Sequence, residues 1–144
     1  MRIPHQFPHY RVEMSRSPAR HLIGQTCVGH YRAIGSHFAR VEETALAAGI
    51  TAQLGPRIGV FFDDRTEIPS PERRCFIGFE AAGLRGVEGL EEMHLPSSPV
   101  AVLRYAGAPE GLPDAYRYLL HDWLPASGRF MVSSPFEIYP RARD

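Results

Sequence analysis

The sequence predicts an α+β fold made of duplicated strand-helix-strand modules related by a pseudo-twofold. We expect a mostly antiparallel sheet, two helices on one side of it and a central ligand cleft. Two segments, about 30–48 and 111–124, carry apolar residues at helical spacing, and residues of strand-like alternation flank both. Shifting the sequence by 78 positions lays one half over the other. We therefore predict one domain over 1–144, with halves at about 9–65 and 73–140.

Composition indicates a globular protein and excludes several function classes. The chain has 144 residues, 44% hydrophobic and 22% charged, which suits one domain with a real core. Sixteen basic and sixteen acidic residues cancel, and no basic stripe occurs, so we expect no direct nucleic-acid binding. The sequence contains no apolar run of the roughly 18 residues that a membrane span needs. It also begins with a polar stretch unlike a signal peptide, so we expect no membrane association and a cytoplasmic location.

The sequence also lacks the residue patterns of common cofactor and metal sites. Every basic residue is arginine, and the lack of lysine excludes a pyridoxal-phosphate Schiff base and a P-loop. The seven histidines are scattered, and we expect neither a cofactor nor a metal site. Cys27 and Cys75 both fall in apolar strand-like segments, which is typical of buried, reduced thiols.

In the first half, residues 9–14 and 21–28 are predicted strands separated by a turn at Ser15 to Pro18. Gly49 is a natural end for the first helix. The apolar face of that helix contains Tyr31, Ile34, Phe38, Val41, Ala45 and Ala48. The following elements are predicted in chain order: a buried strand at 57–63, a loop at 64–73, a strand at 74–82, an irregular connection at 83–98, a strand at 99–106, the second helix and a last strand at 134–140.

Glu137 is the main candidate for a functional residue in this sequence. It lies in the last strand, between Phe136 and Ile138, where a carboxylate is costly unless something compensates it. The 78-residue offset aligns it with Gly59, so one half supplies a charge where the other supplies empty space. A cleft with a charge on one wall and a gap in the opposite wall suits a bulky guest.

Several motifs together resemble one known family over about residues 9–140. They are Gly29-His30-Tyr31, the stretch from Gly59 to Asp64, the stretch from Ala101 to Gly107, the stretch from Trp123 to Gly128, and Phe136-Glu137-Ile138-Tyr139. In order and spacing they resemble the GyrI-like small-molecule-binding family, the effector-binding domain of AraC-type and MerR-type multidrug regulators. No helix-turn-helix region accompanies them here, so we expect a stand-alone sensor domain.

The resemblance implies a ligand site. In the family, the glutamate matching Glu137 lies in the pocket floor and meets lipophilic cations. The aromatic ligand-binding candidates that the resemblance implies are Trp123, Tyr116, Tyr139, Phe61 and Tyr105. A carboxylate among aromatic rings favours an organic cation through its charge and through the ring quadrupoles. We therefore expect a small hydrophobic or cationic molecule as the ligand.

Two other functions stay open at this point. Some GyrI-like proteins are hydrolases that open cyclopropane-containing alkylating toxins, and there Glu137 would act as the general base on water. A gyrase-inhibitor role would instead require an exposed surface for a protein partner, gyrase or a regulator. The sequence does not separate binding from hydrolysis.

Overall fold

The structure is a computed structural model that describes residues 10–63 and 69–140. Position 9 of the first predicted strand and positions 64–68 of the predicted loop lie outside these ranges. The chain forms two compact units. Of the described residues, 10–18 and 97–132 form the two-stranded unit, and 19–63, 69–96 and 133–140 form the five-stranded unit.

The five-stranded unit is an antiparallel sheet with one long helix. Its strands are β2 (Arg20–Val28), β3 (Arg57–Phe61), β4 (Arg74–Glu80), β5 (Glu91–Leu95) and β7 (Phe136–Tyr139). Their order in the sheet is β5-β2-β4-β3-β7, and each neighbouring pair is antiparallel. β7 is thus an edge strand among the described strands.

The core lies on both faces of this sheet. The helix α1 (Ile34–Ala47) buries Phe38, Val41 and Ala45, and these residues pack on the face formed by alternate residues of the strands. The cluster on this face contains Cys27, Tyr31, Phe38, Val41, Phe61, Cys75, Ile77 and Phe79, and the cluster on the opposite face contains Leu22, Ile58, Val60 and Phe76. We call the first of these the helix-covered face.

α1 ends as its sequence predicts. Gly49 has a φ of 74° and donates its N–H to Leu46 O at 3.1 Å, and the N–H of Ile50 reaches Ala45 O at 3.1 Å. This pair of bonds is the Schellman motif, in which a left-handed residue closes the helix and satisfies its last carbonyls. A short 3-10 turn at Tyr31–Ala33 precedes the helix.

The two-stranded unit pairs β1 (Val12–Ser17) with β6 (Ser98–Leu103) in antiparallel register. Its helical segment begins with α2 (Leu112–Arg117), continues as a π-helix at Tyr118–Trp123 and ends with α3 (Leu124–Ala126). A π-helix lacks a sequence signature comparable to the 3.6-residue period, so the pattern predicted an uninterrupted α-helix here.

The predicted fold class, α+β with mostly antiparallel strands and two main helices, is confirmed. Besides the π-helix, two local predictions are wrong. β1 continues through Ser17 where a turn was expected, and β5 lies within the segment 83–98 that was predicted to be irregular. β5 reads Glu-Glu-Met-His-Leu, so its polar residues hide the alternation, and backbone pairing with β2 defines it as a strand.

Strand pairing follows the 78-residue offset in two places. Met14 of β1 pairs with Ala101 of β6. The 78-residue offset relates Met14 to Glu92 and Ala101 to Ile23, and these two residues are also register partners, in β5 and β2. Gly59 and Glu137, which the offset aligns, lie directly opposite each other in β3 and β7. A local twofold axis that relates β3 to β7 therefore passes between these two residues. Superposition of the two complete halves stays a prediction.

No helix within the described ranges is long and apolar enough to cross a membrane.

Candidate functional site

Glu137 lies on the helix-covered face of the edge strand β7. Because side chains alternate along a strand, Tyr139 lies on the same face, and Phe136 and Ile138 lie on the other. Glu137 is half-buried, and the Tyr139 ring packs against the core cluster of that face. The alternation of apolar and polar residues in Phe136-Glu137-Ile138-Tyr139 predicts the same division from the sequence alone.

Tyr139 orients the carboxylate. Its hydroxyl donates a hydrogen bond to Glu137 Oε1 at 2.5 Å, and bonds from a hydroxyl to an ionised carboxylate are short and strong. The Tyr139 ring in turn meets the Phe38 ring edge-on, with centroids 5.5 Å apart. A residue of the first helix thus supports the phenol that holds Glu137.

The Phe61 ring fills the space beside Gly59, which the sequence offset predicts to be empty; that expectation is wrong. A Cβ placed on Gly59 would lie 2.9 Å from Cζ of Phe61 and 3.3 Å from Cδ1 of Ile77. Phe61 is two residues further along β3, so its ring points to the same face and lies over the glycine. The wall opposite Glu137 is therefore an aromatic ring above a glycine, and that glycine cannot be enlarged without moving the ring.

Further aromatic residues, which are not among the predicted site residues, surround this position. Tyr31 meets Phe61 at 5.0 Å between centroids, and Phe38 meets Phe79 at 5.9 Å. The Tyr31 hydroxyl lies 3.0 Å from the backbone oxygens of both Asp63 and Arg74, which share its single proton as acceptors. Burial is the main cause of a raised Tyr31 pKa. The Gly29-His30-Tyr31 motif before the first helix is the sequence signal that points to Tyr31.

Arg57 brings a positive charge to the same face. Its guanidinium lies 5.3 Å from the centroid of the Phe38 ring and bonds to Glu42 Oε1 at 2.6 Å. Arg57 is also the register partner of Tyr139. One aromatic ring of this face thus already accepts a cation, and the Glu42 carboxylate balances that cation's charge.

The other three predicted site residues belong to the two-stranded unit. The Tyr105 hydroxyl donates to Ala108 O, and its ring lies beside Gly107, so this tyrosine braces the turn before the second helix. Tyr116 and Trp123 are both half-buried, and the π-helix contains Trp123 and begins two residues after Tyr116. The structure therefore brings together Glu137, Tyr139 and Phe61.

An open cavity of about 500 Å³ lies elsewhere in the five-stranded unit, beside β2 and β5. Its charged lining residues already have partners: Arg20 is paired with Glu80, and Arg85 with Glu92. Nε2 of His21 lies 2.9 Å from Leu84 O and 3.3 Å from Glu92. In the ranges that the structure describes, no group of three or more potential ligands is placed to hold a metal ion.

Comparison with known proteins shows the family and the fold. The GyrI-like small molecule binding domain matches residues 11–144. The C-terminal domain of EcmrR superimposes with a TM-score of 0.72 at 16% identity, covering 92% of this chain and 85% of that one. SAV2435 bound to tetraphenylphosphonium has a TM-score of 0.62 at 16% identity, covering 94% and 86%.

A longer EcmrR chain, determined in a complex with DNA, gives a TM-score of 0.77 at 16% identity. The match covers 90% of the present chain but only 49% of EcmrR, so this chain spans about half the length of that regulator. A search of the curated proteins finds no match. At these identities the structural likeness shows the fold.

Proposed function

The chain belongs to the GyrI-like small-molecule-binding family, and on that premise we propose that it binds amphiphilic or cationic organic molecules through Glu137. The observation that carries this proposal is the Glu137 carboxylate, half-buried on an aromatic face and oriented by the Tyr139 hydroxyl. A lipophilic cation at this face would gain both the charge interaction and the contact with ring faces.

The partial exposure of Glu137 suits a bulky guest. Glu137 lies on an edge strand, where its side chain stays accessible to a ligand, and the buried Phe61 ring above Gly59 gives the site an apolar wall. SAV2435, which shares the fold, was determined with tetraphenylphosphonium bound, and that ion is a lipophilic cation of the proposed class. From the family resemblance alone, we propose that Trp123, Tyr116 and Tyr105 also contact the ligand.

A matched pair of ions tests the proposal. Tetraphenylphosphonium and tetraphenylborate have nearly the same shape and opposite charge, so their apolar contacts are equal and only the electrostatic interaction differs. We expect calorimetric titration to give measurable binding of the phosphonium and binding of the borate weaker by tenfold or more, since about 1.4 kcal/mol corresponds to a factor of ten. Equal affinity for both ions, or tighter binding of the borate, would contradict a site organised by Glu137.

The hydrolase hypothesis is tested with the same protein. Incubation with a cyclopropane-containing electrophile, followed by mass spectrometry of the small molecule, distinguishes a ligand released unchanged from one that has gained water. Hydrolysis that the substitution Glu137→Gln abolishes would make Glu137 a general base. An unchanged ligand supports a binding protein, which is the function we propose.

A further inference from the structure

Cys27 and Cys75 are directly opposite each other in the two central strands. They are register partners in the antiparallel pair β2–β4, and both side chains belong to the core cluster of the helix-covered face. Only 8% of Cys27 and 3% of Cys75 is exposed. They are the two cysteines of the sequence, and both are free thiols.

The register places these residues within bridging distance. Gly29 N donates to Arg73 O at 2.8 Å, and hydrogen-bonded pairs recur every second residue in an antiparallel ladder, so Cys27 and Cys75 also form a hydrogen-bonded pair. The Cα atoms of such a pair are about 5.5 Å apart, inside the range of roughly 4.4–6.8 Å found for disulfides. Their Cβ atoms need to approach by roughly 1–2 Å to reach disulfide spacing, so the two strands must shift locally when the bond forms.

We propose that Cys27 and Cys75 form a redox modification site that a hydroperoxide converts into a reversible intramolecular disulfide. In the first step the sulfur of one cysteine attacks the peroxide, the O–O bond breaks, and the cysteine becomes a sulfenic acid while the peroxide is reduced to an alcohol or water. In the second step the other cysteine's sulfur attacks the sulfenic sulfur. The S–S bond forms, the S–O bond breaks, and the hydroxyl group leaves as water with the second thiol's proton.

Burial makes this reaction slow in the closed state. Desolvation raises the pKa of Cys75 to about 12 and also raises the pKa of Cys27, so both are protonated thiols at neutral pH, and the thiolate is the nucleophile. The pair lies only two register positions from the Gly29–Arg73 hydrogen bond near the end of the ladder. Local opening of a ladder end requires less free energy than global unfolding, and we expect oxidation to proceed through that opened state.

Intact-mass spectrometry of the native protein tests the site. After treatment with hydrogen peroxide we expect a loss of about 2 Da, corresponding to two hydrogens, in a species that stays monomeric on a non-reducing gel and that dithiothreitol restores. Because opening limits the reaction, the rate should reach a plateau as peroxide is increased. Peptide mapping without reduction should show Cys27 joined to Cys75.

Two variants control for register. Cys75→Ser should lose the 2 Da change completely. In the double variant Cys27→Ser, Val28→Cys, the new thiol sits at an exposed position on the opposite face from Cys75, so it should oxidise at least tenfold more slowly to the disulfide. The proposal is overturned if the wild-type protein only gains oxygen, forms only dimers or shows no mass change. It is also overturned if the double variant forms the disulfide as fast as the wild type, because that result would indicate oxidation of unfolded chains. None of these outcomes depends on ligand binding at Glu137.

Discussion

Replacing Glu137 with glutamine separates charge from shape at the candidate site. The substitution removes one negative charge and keeps the side-chain volume, and the amide oxygen still accepts the hydrogen bond from Tyr139. We therefore expect the fold to persist and the affinity for cations to fall. The thermal midpoint should stay within a few degrees of the wild type, because no core contact is lost.

The size of the affinity loss follows from the surroundings of the carboxylate. The centre of tetraphenylphosphonium, shielded by its phenyl groups, would lie about 5 Å from a carboxylate oxygen. Two unit charges at that distance interact by roughly 3 kcal/mol at an effective dielectric constant of about 20, and by roughly 1 kcal/mol in water. Glu137 is half-buried, so we expect a loss of about 1–3 kcal/mol, or roughly a 5- to 150-fold weaker phosphonium affinity.

Titration of wild type and Glu137→Gln with both tetraphenyl ions measures this effect. The phosphonium affinity should drop by the stated factor, and the borate affinity should rise or stay unchanged because a repulsive charge has been removed. A variant that melts several degrees lower yet binds the phosphonium as tightly as the wild type would show that Glu137 is a structural acid. That result would refute the proposed site.

Four further predictions test other parts of the molecule. Gly59→Ala should reduce the free energy of unfolding by about 1–3 kcal/mol, measured in urea, because the new methyl group displaces the Phe61 ring; an unchanged midpoint would contradict the packing described. The hydrogen bond from the Arg74 side chain lowers the pKa of Asp63 in the folded protein. In thermal melts, wild type should therefore be more stable than Asp63→Asn above about pH 4, and this difference should disappear as the pH falls through the lowered folded-state pKa. A stability difference that does not change with pH would exclude this linkage. Tetraphenylphosphonium should quench the fluorescence of the single tryptophan, Trp123, and half of the quenching should occur at the ligand concentration that half-saturates the protein in calorimetry. Unchanged fluorescence at saturating ligand would remove Trp123 from the ligand site. Random duplex DNA should show no mobility shift at micromolar protein in low salt, whereas a salt-sensitive shift would indicate a phosphate-binding surface.

Local patterns determined much of this protein. The spacing of Phe38, Val41 and Ala45 predicted the first helix and its buried face, because the 3.6-residue period depends only on neighbouring residues. Gly49 predicted where that helix ends, because a left-handed residue suits glycine. Alternation likewise placed Glu137 and Tyr139 on one face of their strand, and the ordered motifs were sufficient to identify the family.

Contacts between distant segments decided the remaining features. β5 is a strand because β2 pairs with it, and its own polar sequence gives little sign of this. The Phe61 ring covers Gly59, a position that the 78-residue offset predicted to be empty space. Cys27 and Cys75 are separated widely in the chain and become partners only through the register of β2 and β4. Strand pairing joins residues irrespective of their separation along the chain. The residue pattern of one segment therefore does not predict which other segment it pairs with.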